Sequence, residues 1–376
     1  MEKLLPDICK IQYGYAFDSA KFSDNEGTPL IRIRDVVRGF SETYTTEECG
    51  AEYIVKDGDI LIGMDGEFNI AHWRGGKSYL NQRVCKLIPT AEIDALYLFY
   101  FMPKALKAIE DKTPFVTVKH LSAKELNKVA VPIPSMKEQK KIAGSLQKAD
   151  ELIALRKEQL AKLDQLVKSR FIELFGDCLT NPKRWKTKCL ENIAEVGSSK
   201  RVFVEELRDE GIPFYRGTEV GALAEGRKIV PELFITEEHY AELCAATGAP
   251  QSGDLLMPSI CPDGRIWVVN TDEPFYFKDG RVLWVHNIEA SYNPVFLLYT
   301  LKDRIMTDYS SIASGTTFAE LKIFALKKCR IFDVPLAIQN EFATFIEQTE
   351  KSKFDLKQSL EKLETLKKSL MQQYFG

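Results

Sequence analysis

The chain has 376 residues, which is enough for two hydrophobic cores of ordinary size and two long helices besides. Its hydrophobic content of 45% and charged content of 28% are typical of a soluble globular protein and exclude a disordered one. The net charge of −3 predicts no gross attraction to nucleic acid, although local charge decides individual contacts.

The eight cysteines form no C-x-x-C pair, and the four histidines have no metal-ligand spacing near them. This distribution favours reduced thiols over disulfides or zinc, and we expect neither a metal nor a cofactor. The sequence shows no signal-peptide pattern and no apolar run of membrane-spanning length. We therefore expect a cytoplasmic protein with no membrane partner.

Residues 1–133 alternate short apolar runs with turn signals. Residues 29–34, 59–63 and 81–88 are predicted strands. Residues 93–102 are rich in aromatic side chains and predict a short buried helix. The segment is predicted to be a mixed α/β domain with many short strands.

A long helix is predicted next, within residues 134–177. Ser135 and Glu138 fit a capping box that places Ser135 at the N-cap, and Gly176 ends the helix. Steps of four and three residues then keep one stripe on a single helix face. This stripe contains Ile142, Leu146, Ala149, Ile153, Arg156, Leu160, Leu163, Val167, Arg170 and Leu174.

The second half of the chain repeats the first. Residues 178–334 match the first mixed domain at offsets that grow from 185 to 200 residues, and residues 335–376 match the long helix at a constant offset of 200. The second stripe contains Phe342, Ile346, Thr349, Lys353, Leu356, Leu360, Leu363, Lys367, Leu370 and Tyr374. We expect the helices to meet along a seam of Ile142, Leu146, Ile153, Leu160 and Leu163 with Phe342, Ile346, Leu356, Leu360 and Leu363.

These elements predict an α+β protein in which two mixed domains are joined by an antiparallel pair of long helices with pseudo-twofold symmetry. The stripe of the first helix would span about 50 Å, or about 15 base pairs of B-DNA. Two inverted domains on a rigid strut would suit a split target on a duplex. A coiled-coil spacer that holds two ordinary domains apart explains the stripe equally well.

Several short motifs carry a resemblance to a known family. The first helix opens with Pro134-Ser-Met-Lys-Glu-Gln139 and the second with Val334-Pro-Leu-Ala-Ile-Gln339. Gly253-Asp-Leu-Leu256, Asn81-Gln-Arg-Val84 and Ser314-Gly-Thr-Thr-Phe318 are also similar to family sequences. In the order domain, helix, domain, helix, the chain resembles the specificity (S) subunit of type I restriction-modification enzymes.

The resemblance implies a subunit that recognises double-stranded DNA and does no chemistry itself. Each target recognition domain, residues 1–133 and 178–334, would read one half of a bipartite site. The long helices would set the gap and dock two methyltransferase (M) subunits, to which restriction (R) subunits add. The sequence contains no nucleotide-binding Gly-x-x-x-x-Gly-Lys-[Ser/Thr] loop, no catalytic triad and no paired carboxylates, in keeping with a subunit that is not an enzyme.

Basic residues in turn and strand segments are the candidates for DNA contact. Residues 68–91 contain no acidic side chain and mix cations with the aromatic residues Trp73 and Tyr79, which suits phosphate and base-edge contacts. Trp73 fits a core position equally well. The candidates are Arg74, Lys77, Arg83, Lys119, Lys200, Arg201, Arg216, Arg265, Arg281, Thr316 and Thr317.

Two other functions fit parts of the pattern. A coiled-coil scaffold whose two lobes bind protein would need no DNA contact. A specificity subunit of a combined cleaving and methylating system would recognise DNA in the same way, but with the nuclease fused to the M subunit. A salt-dependent gel shift with the M subunit separates the scaffold from both DNA-binding alternatives.

Overall fold

The computed structural model describes residues 1–112, 119–315 and 319–376. The chain divides into two compact units. Unit 1 consists of Met1–Glu158 with Lys357–Gly376, and unit 2 consists of Gln159–Leu356. Within the described ranges, no helix has both the length and the apolar composition that a membrane span requires.

Unit 1 contains short strands and helices before the first long helix. Its strands are β1 Glu2–Leu4, β2 Cys9–Tyr13, β3 Phe22–Ser23, β4 Thr28–Ile31, β5 Tyr44–Thr45, β6 Ile54–Val55, β7 Ile60–Gly63, β8 Ile70–His72, β9 Ser78–Leu80, β10 Val84–Pro89 and β11 Ala130–Pro132. Its helices are α1 Leu5–Ile8, α2 Ile33–Arg38, α3 Ala95–Lys112 and α4 Ala123–Leu126, with 3₁₀ turns at Ser19–Lys21 and Ala51–Tyr53.

Three sheets organise these strands. An antiparallel sheet has the order β2-β10-β7-β8, a mixed sheet has the order β3-β5-β4-β9-β6, and β1 pairs with β11. In the mixed sheet, β4 and β9 run parallel. The main core lies between the antiparallel sheet and α3, where Ile62, Cys85 and Leu98 are fully buried.

The first long helix is α5, Met136–Phe175, and the elements of unit 2 follow it. The strands are β12 Thr187–Cys189, β13 Glu195–Gly197, β14 Ile212–Tyr215, β15 Phe234–Ile235, β16 Leu255–Pro258, β17 Trp267–Val268, β18 Tyr276–Phe277, β19 Val282–His286, β20 Ala313–Ser314, β21 Glu320–Leu321 and β22 Arg330–Phe332. The helices are α6 Gly217–Ala224, α7 Glu237–Thr247, α8 Pro294–Ile312, α9 Ile323–Lys327 and α10 Leu336–Phe375, with 3₁₀ turns at Leu190–Asn192 and Val204–Glu206.

The sheets of unit 2 repeat those of unit 1. The antiparallel order β13-β19-β16-β17 corresponds to β2-β10-β7-β8, and the pair β12-β22 corresponds to β1-β11. A three-stranded sheet, β15-β14-β18, contains the parallel pair β14 and β18. The main core packs α8 against the antiparallel sheet, with Phe296, Leu255 and Val285 fully buried.

The ends of the long helices complete these cores. Phe175, the last residue of α5, contacts Phe296 and Phe342 in unit 2, with ring centroids 4.7 and 5.5 Å away. Phe375, the last residue of α10, contacts Tyr97 in unit 1 with ring centroids 5.4 Å apart. The final turn of the chain therefore belongs to the core of the first unit, as the antiparallel arrangement predicts.

The predicted start of the first long helix is confirmed. Glu138 N donates to Ser135 Oγ at 3.3 Å, and Ser135 N donates to Glu138 Oε2 at 3.0 Å, which is the reciprocal capping box. The helix ends before Gly176, whose φ of +86° favours glycine. Asn293 caps α8 through a bond from Val295 N at 2.9 Å, as expected of a helix start.

A buried glutamine connects each long helix to its mixed domain through hydrogen bonds. Gln139 Oε1 accepts from Asp94 N at 2.8 Å, and its Nε2 donates to the carbonyl five positions earlier at 3.0 Å. Gln339 repeats this arrangement, accepting from Asn293 N at 2.8 Å and donating to the carbonyl five positions earlier at 2.8 Å. Both side chains are at most 1% exposed. The repeated glutamine therefore ties the long helix to the loop that begins α3 or α8.

The two long helices run antiparallel in unit 1. Lys157 Nζ lies 3.1 Å from Glu364 Oε1, and Lys367 Nζ lies 2.5 Å from Asp150 Oδ1. Residues that come later in α5 therefore face residues that come earlier in α10.

Unit 2 shows the same direction. Lys353 Nζ lies 2.7 Å from Asp164 Oδ1, and Arg170 Nη2 lies 2.5 Å from Glu341 Oε1. Three of the four cations that interrupt the apolar stripes, Arg170, Lys353 and Lys367, thus pair with acids of the other helix. Burial opposes the charge of Lys353, but its hydrogen bonds with Asp164 and Glu350 hold its pKa above the usual value.

Two predicted elements need correction. Residues 29–34 are not a single strand, because β4 ends at Ile31 and α2 begins at Ile33, where Asp35 caps the backbone N–H of Arg32 at 2.9 Å. The helix expected at 93–102 continues to Lys112, because its inward positions up to Leu106 stay buried. The first error comes from a short segment in which strand and helix patterns overlap, and the second concerns only the length of the helix.

Candidate nucleic-acid interface

A cleft of about 770 Å³ opens in unit 2 at the N-terminal end of α6. The end of β16 and the loops before β17 and β19 form its other walls. Its lining residues are Val204, Leu207, Phe214, Arg216, Gly217, Thr218, Glu219, Leu233, Pro258, Ser259, Ile260, Arg265, Lys278 and Arg281. Three of the arginines predicted from the sequence, Arg216, Arg265 and Arg281, therefore share one concave surface.

Arg216 is held rigidly at the junction between β14 and α6. Its Nη2 lies 2.5 Å from Glu219 Oε1 and 3.0 Å from Glu232 Oε2. The hydrogen bond to Glu219, reinforced by Glu232, raises the pKa of Arg216. Burial opposes ionisation of Glu219, but the hydrogen bonds from Arg216 and Thr218 outweigh it and lower the pKa of Glu219 to about 2. The guanidinium is thus oriented before any ligand arrives.

The other two arginines of the cleft also have carboxylate partners. Arg265 Nε lies 2.8 Å from Asp263 Oδ2, and the Arg281 guanidinium is ion-paired with Glu320. The Arg281 side chain stays 60% exposed, so it can still reach a phosphate or a base edge.

In unit 1, Arg83 belongs to a second polar cluster. Its Nε lies 3.5 Å from Asp65 Oδ2, and its Nη1 lies 3.4 Å from His120 Nδ1. His120 Nδ1 is also 2.5 Å from Asp65 Oδ1. Lys119, by contrast, is half-buried and donates to the carbonyl of Glu110 at 2.9 Å, which gives it a structural contact instead of a free ammonium.

The remaining basic candidates lie apart from these two clusters. Arg74 and Lys77 are exposed beside the β8–β9 turn, and Lys200 and Arg201 are exposed after β13, with Arg201 Nε 3.2 Å from Asp279 Oδ2. Thr316 and Thr317 lie outside the described residues. The structure therefore gathers three of the candidates in unit 2 and leaves the others separate.

The aromatic residues of the basic run are not available for stacking on bases. Trp73 is 1% exposed, and its Nε1 donates to Gly76 O at 2.7 Å, so it is a core residue. Tyr79 is half-buried and stacks on Phe17, with ring centroids 5.6 Å apart. The alternative that placed Trp73 in the core is the correct one.

Arg32 is not among the predicted candidates, although a repeat in the sequence points to it. Pro29, Arg32, Asp35 and Val36 recur as Pro213, Arg216, Glu219 and Val220 at a constant offset of 184 residues. Arg32 precedes α2 as Arg216 precedes α6, and it is exposed. The signal was hidden because residues 29–34 were assigned to one strand.

All ten predicted seam residues are buried or half-buried. Leu146, Phe342 and Ile346 are buried, and the other seven are half-buried. Other apolar residues of the long helices remain exposed. The large ones are Leu152, Leu155 and Leu366 in unit 1 and Leu166, Ile172, Leu336 and Phe354 in unit 2.

Comparison with known proteins identifies the family. The family model for the type I restriction modification DNA specificity domain matches residues 1–165 and again residues 182–368. Each matched segment contains one mixed domain and most of the long helix that follows it. Two such segments in one chain fit recognition of a bipartite target.

Relatives with curated descriptions carry the same designation. The specificity subunit of the type I restriction enzyme EcoBI of Escherichia coli is 38% identical over 164 residues, which is 43% of this chain and 34% of that protein. The chain thus matches about a third of the length of that relative. A putative type I restriction enzyme specificity subunit of Haemophilus influenzae is 25% identical over 306 residues, or 77% of this chain and 74% of that protein.

Solved structures share the fold. The S subunit of a type I restriction-modification system from M. genitalium superposes with a TM-score of 0.61 at 14% identity, covering 99% of this chain and 94% of that one. A chain of another type I R-M system gives a TM-score of 0.56 at 16% identity, covering 100% and 97%. Because one family model matches both halves of its sequence, the chain belongs to the type I restriction modification DNA specificity family.

Proposed function

We propose that this chain is the DNA specificity subunit of a type I restriction-modification complex and acts in the cytoplasm. Residues 1–133 and 178–334 are the two target recognition domains, and each reads one half of a bipartite target. The helices within 134–177 and 335–376 set the separation of the half-sites. The subunit is not itself catalytic, and its base contacts direct adenine methylation by the M subunits.

One observation carries this proposal, which is that both units present an arginine at the same structural position. Met64 N donates to Arg83 O at 3.0 Å, and Ser259 N donates to Arg281 O at 2.9 Å. Each arginine side chain then contacts the residue at position 120 or 320. Two related DNA-reading surfaces require an exposed cation at equivalent positions, and the two domains provide one each although most of their other residues differ.

The charge balance predicts weak binding by the subunit alone. In the unit 2 cleft, carboxylates from Glu219, Glu232 and Glu320 offset the arginines, and the whole chain carries a net charge of −3. Affinity for DNA depends largely on neutralised phosphates. We therefore expect the M subunits to supply most phosphate contacts and this chain to supply base selection.

The exposed apolar residues of the long helices support docking of the M subunits, two per chain. Leu152, Leu155 and Leu366 are 45 to 53% exposed in unit 1, on helices whose seam side is already covered. Replacing Leu152 and Leu155 by aspartate should abolish co-purification with the M subunit and leave the helical circular dichroism unchanged. Gln147→Ala, at another exposed position of the same helix, should have no effect on either. Retained co-purification of the double variant would contradict this docking face.

A domain exchange tests the bipartite target. Residues 1–133 are replaced by those of another family member, the complex is expressed with its M subunit, and the methylated sequence is determined by single-molecule methylome sequencing. We expect only one half of the target to change. Unchanged methylation, or a change in both halves, would contradict the assignment of one half-site to each domain.

A gel shift separates DNA recognition from the scaffold alternative. With the M subunit present, we expect a shift of a duplex carrying the methylated sequence, weakened steeply by raising the salt concentration. The variant Arg281→Ala should weaken it, whereas Lys328→Ala, at an exposed lysine directly after α9 that is ion-paired with Glu191, should not. Absence of any shift by the wild-type complex would favour the protein-binding scaffold.

A further inference from the structure

The backbone around Arg32 matches that around Arg216. The strand before Arg32 is parallel to β9, with Ile31 opposite Leu80, and the strand before Arg216 is parallel to β18, with Tyr215 opposite Phe277. Among the strand pairings in the described ranges, these two are the parallel ones. The arginines have the same backbone conformation, with φ and ψ of −98° and 168° for Arg32 and −91° and 178° for Arg216.

The residue after each arginine packs against the same strand end. A Cβ added to Gly63 would lie 3.2 Å from Ile33 Cγ2, so Ile33 lies against the end of β7. In unit 2 a Cβ added to Gly217 would lie 3.5 Å from Pro258 Cβ, at the end of the corresponding strand β16. Arg32 and Arg216 therefore start from equivalent places on equivalent frames.

The second wall of the surface is equivalent too. Leu121 N donates to Met64 O at 2.7 Å in unit 1, and Leu321 N donates to Ser259 O at 2.7 Å in unit 2. These bonds place position 120 or 320 beside Arg83 or Arg281. In unit 2, Arg216 and Arg281 line one cleft. The equivalent surface of unit 1 is bounded by Arg32 and Arg83.

The side-chain partners of Arg32 and Arg216 differ, although the backbone around the two arginines is equivalent. Arg216 is held by Glu219 and Glu232. Asp35, the counterpart of Glu219, is fully buried and accepts from the Arg32 backbone at 2.9 Å. Within the described part of the chain, the Arg32 guanidinium makes no hydrogen bond or ion pair. It is an exposed cation with all five donors available.

We propose that Arg32 reads a base edge in the half-site bound by residues 1–133, beside Arg83, as Arg216 does beside Arg281; this inference rests on the proposed function. A guanidinium presents two parallel N–H donors that match O6 and N7 of guanine in the major groove. The position of Arg32 at the start of a helix, next to a second arginine, suits that contact. The ligand is thus a guanine of the target and not a phosphate alone.

The test uses the full chain in complex with its M subunit and the target defined by methylome sequencing of the wild type. Dissociation constants are measured, at one salt concentration, for the target duplex and for duplexes with single base pairs substituted in either half. We expect Arg32→Ala to lose on the order of 10- to 100-fold of the preference at one base pair of one half-site. Arg216→Ala should have this effect in the other half.

Two further variants make the result specific. Arg38→Ala removes an equal charge from the same helix, where Arg38 is ion-paired with Glu42 at 3.1 Å, and should leave base preference unchanged. Arg32→Lys keeps the charge but not the paired donors, so it should restore affinity without restoring the preference. Arg32→Ala behaving like Arg38→Ala, or Arg32→Lys restoring the preference, would overturn the inference. If the wild-type complex methylates no bipartite sequence, the proposed function itself fails.

Discussion

The two units are built on one frame but fill it with different side chains. In each unit a buried glutamine ties the long helix to the next helix start, and an aspartate closes the turn before a central strand. Gln139 and Gln339 make the same three hydrogen bonds, and each distance in one unit is within 0.2 Å of its counterpart in the other. The frame is therefore conserved between the copies at the positions that hold elements together.

The units differ in the side chain that contacts the turn aspartate, which is Asp59 in unit 1 and Asp254 in unit 2. Asp59 Oδ2 lies 3.4 Å from the ammonium of Lys86, whereas Asp254 Oδ2 accepts from the indole of Trp284 at 2.9 Å. Both carboxylates also accept a backbone N–H three residues earlier, at 3.0 and 2.9 Å. The bond from the aspartate to the turn is thus the same in both units, whereas its second partner differs with the surrounding core.

Removing the glutamine should have the largest effect in both units. Gln139→Ala and Gln339→Ala each leave two carbonyls and one N–H without partners in a buried place, so each should cost about 3 kcal/mol of unfolding free energy. Hydrogen exchange read by mass spectrometry should show the loss of protection at the start of α3 for the first variant and of α8 for the second.

The exposed glutamines Gln147 and Gln348 serve as matched controls, and their alanine variants should change stability by less than about 0.5 kcal/mol. If only one of the two buried-glutamine variants loses stability, the two units do not share this frame.

Replacing the turn aspartate by alanine should destabilise the protein by different amounts in the two units. Asp254→Ala leaves Trp284 Nε1 and Gln251 N without acceptors and should cost about 2 kcal/mol, whereas Asp59→Ala should cost about 1 kcal/mol because Asp59 is partly solvated. Urea unfolding of each variant measures both values. Burial raises the pKa of Asp254, so Asp254→Asn, which keeps an acceptor without a buried charge, should cost less than Asp254→Ala. Equal costs for the two alanine variants would show that the partners do not matter.

The stability cost of replacing Glu219 should depend on pH, unlike that of replacing Glu232, the other acidic partner of Arg216. The pKa of Glu219 is lowered from 4.5 to about 2, so its stabilising contribution is complete above about pH 4.5 and is lost as the pH falls towards 2. Glu219→Gln should therefore cost about 1–2 kcal/mol at pH 7, and the cost should shrink between pH 4.5 and pH 3 in urea unfolding. Glu232→Gln, which removes the other, largely exposed partner of Arg216, should cost less than about 0.5 kcal/mol at either pH. A cost for Glu219→Gln that does not vary with pH would contradict this account.

The long helices were predictable from the sequence because their pattern is long and regular. The cap at Ser135 and the end before Gly176 follow from local signals in the first helix, and the second helix follows from the repeat at 200 residues. The mixed domains were harder, since strands of two to six residues carry too few positions to define a period. The helix α2 was missed for that reason, although the buried Val36 and the cap at Asp35 decide it.

The candidate surface was predictable only in part. Arg216, Arg265 and Arg281 were selected as isolated cations, and the fold alone brings them to one cleft from segments up to 65 residues apart. Lys119 was selected for its charge, but its ammonium is used internally by Glu110. The sequence does not show which cations are already paired, because the pairing depends on side chains from distant segments.

The ion pairs between the long helices should give the smallest differences. Lys367 in unit 1 pairs with Asp150, which also accepts from the Tyr100 hydroxyl at 2.8 Å, whereas Lys353 in unit 2 has both Asp164 and Glu350 as partners. Asp150→Asn should therefore cost about 0.5–1 kcal/mol and Asp164→Asn only a few tenths, because Glu350 remains next to Lys353.

A double-mutant cycle of Asp150→Asn with Lys367→Met isolates the pair in unit 1. We expect a coupling energy of about 0.5 kcal/mol in urea unfolding at low salt, reduced by at least half in 1 M sodium chloride, because partly exposed charges are screened. The same cycle for Asp164 and Lys353 should give a smaller coupling at both salt concentrations. A larger coupling energy in unit 2 would reverse the expected order of the two pairs. It would mean that the burial of Lys353, at 11% exposure, affects the coupling more than the number of its partners does.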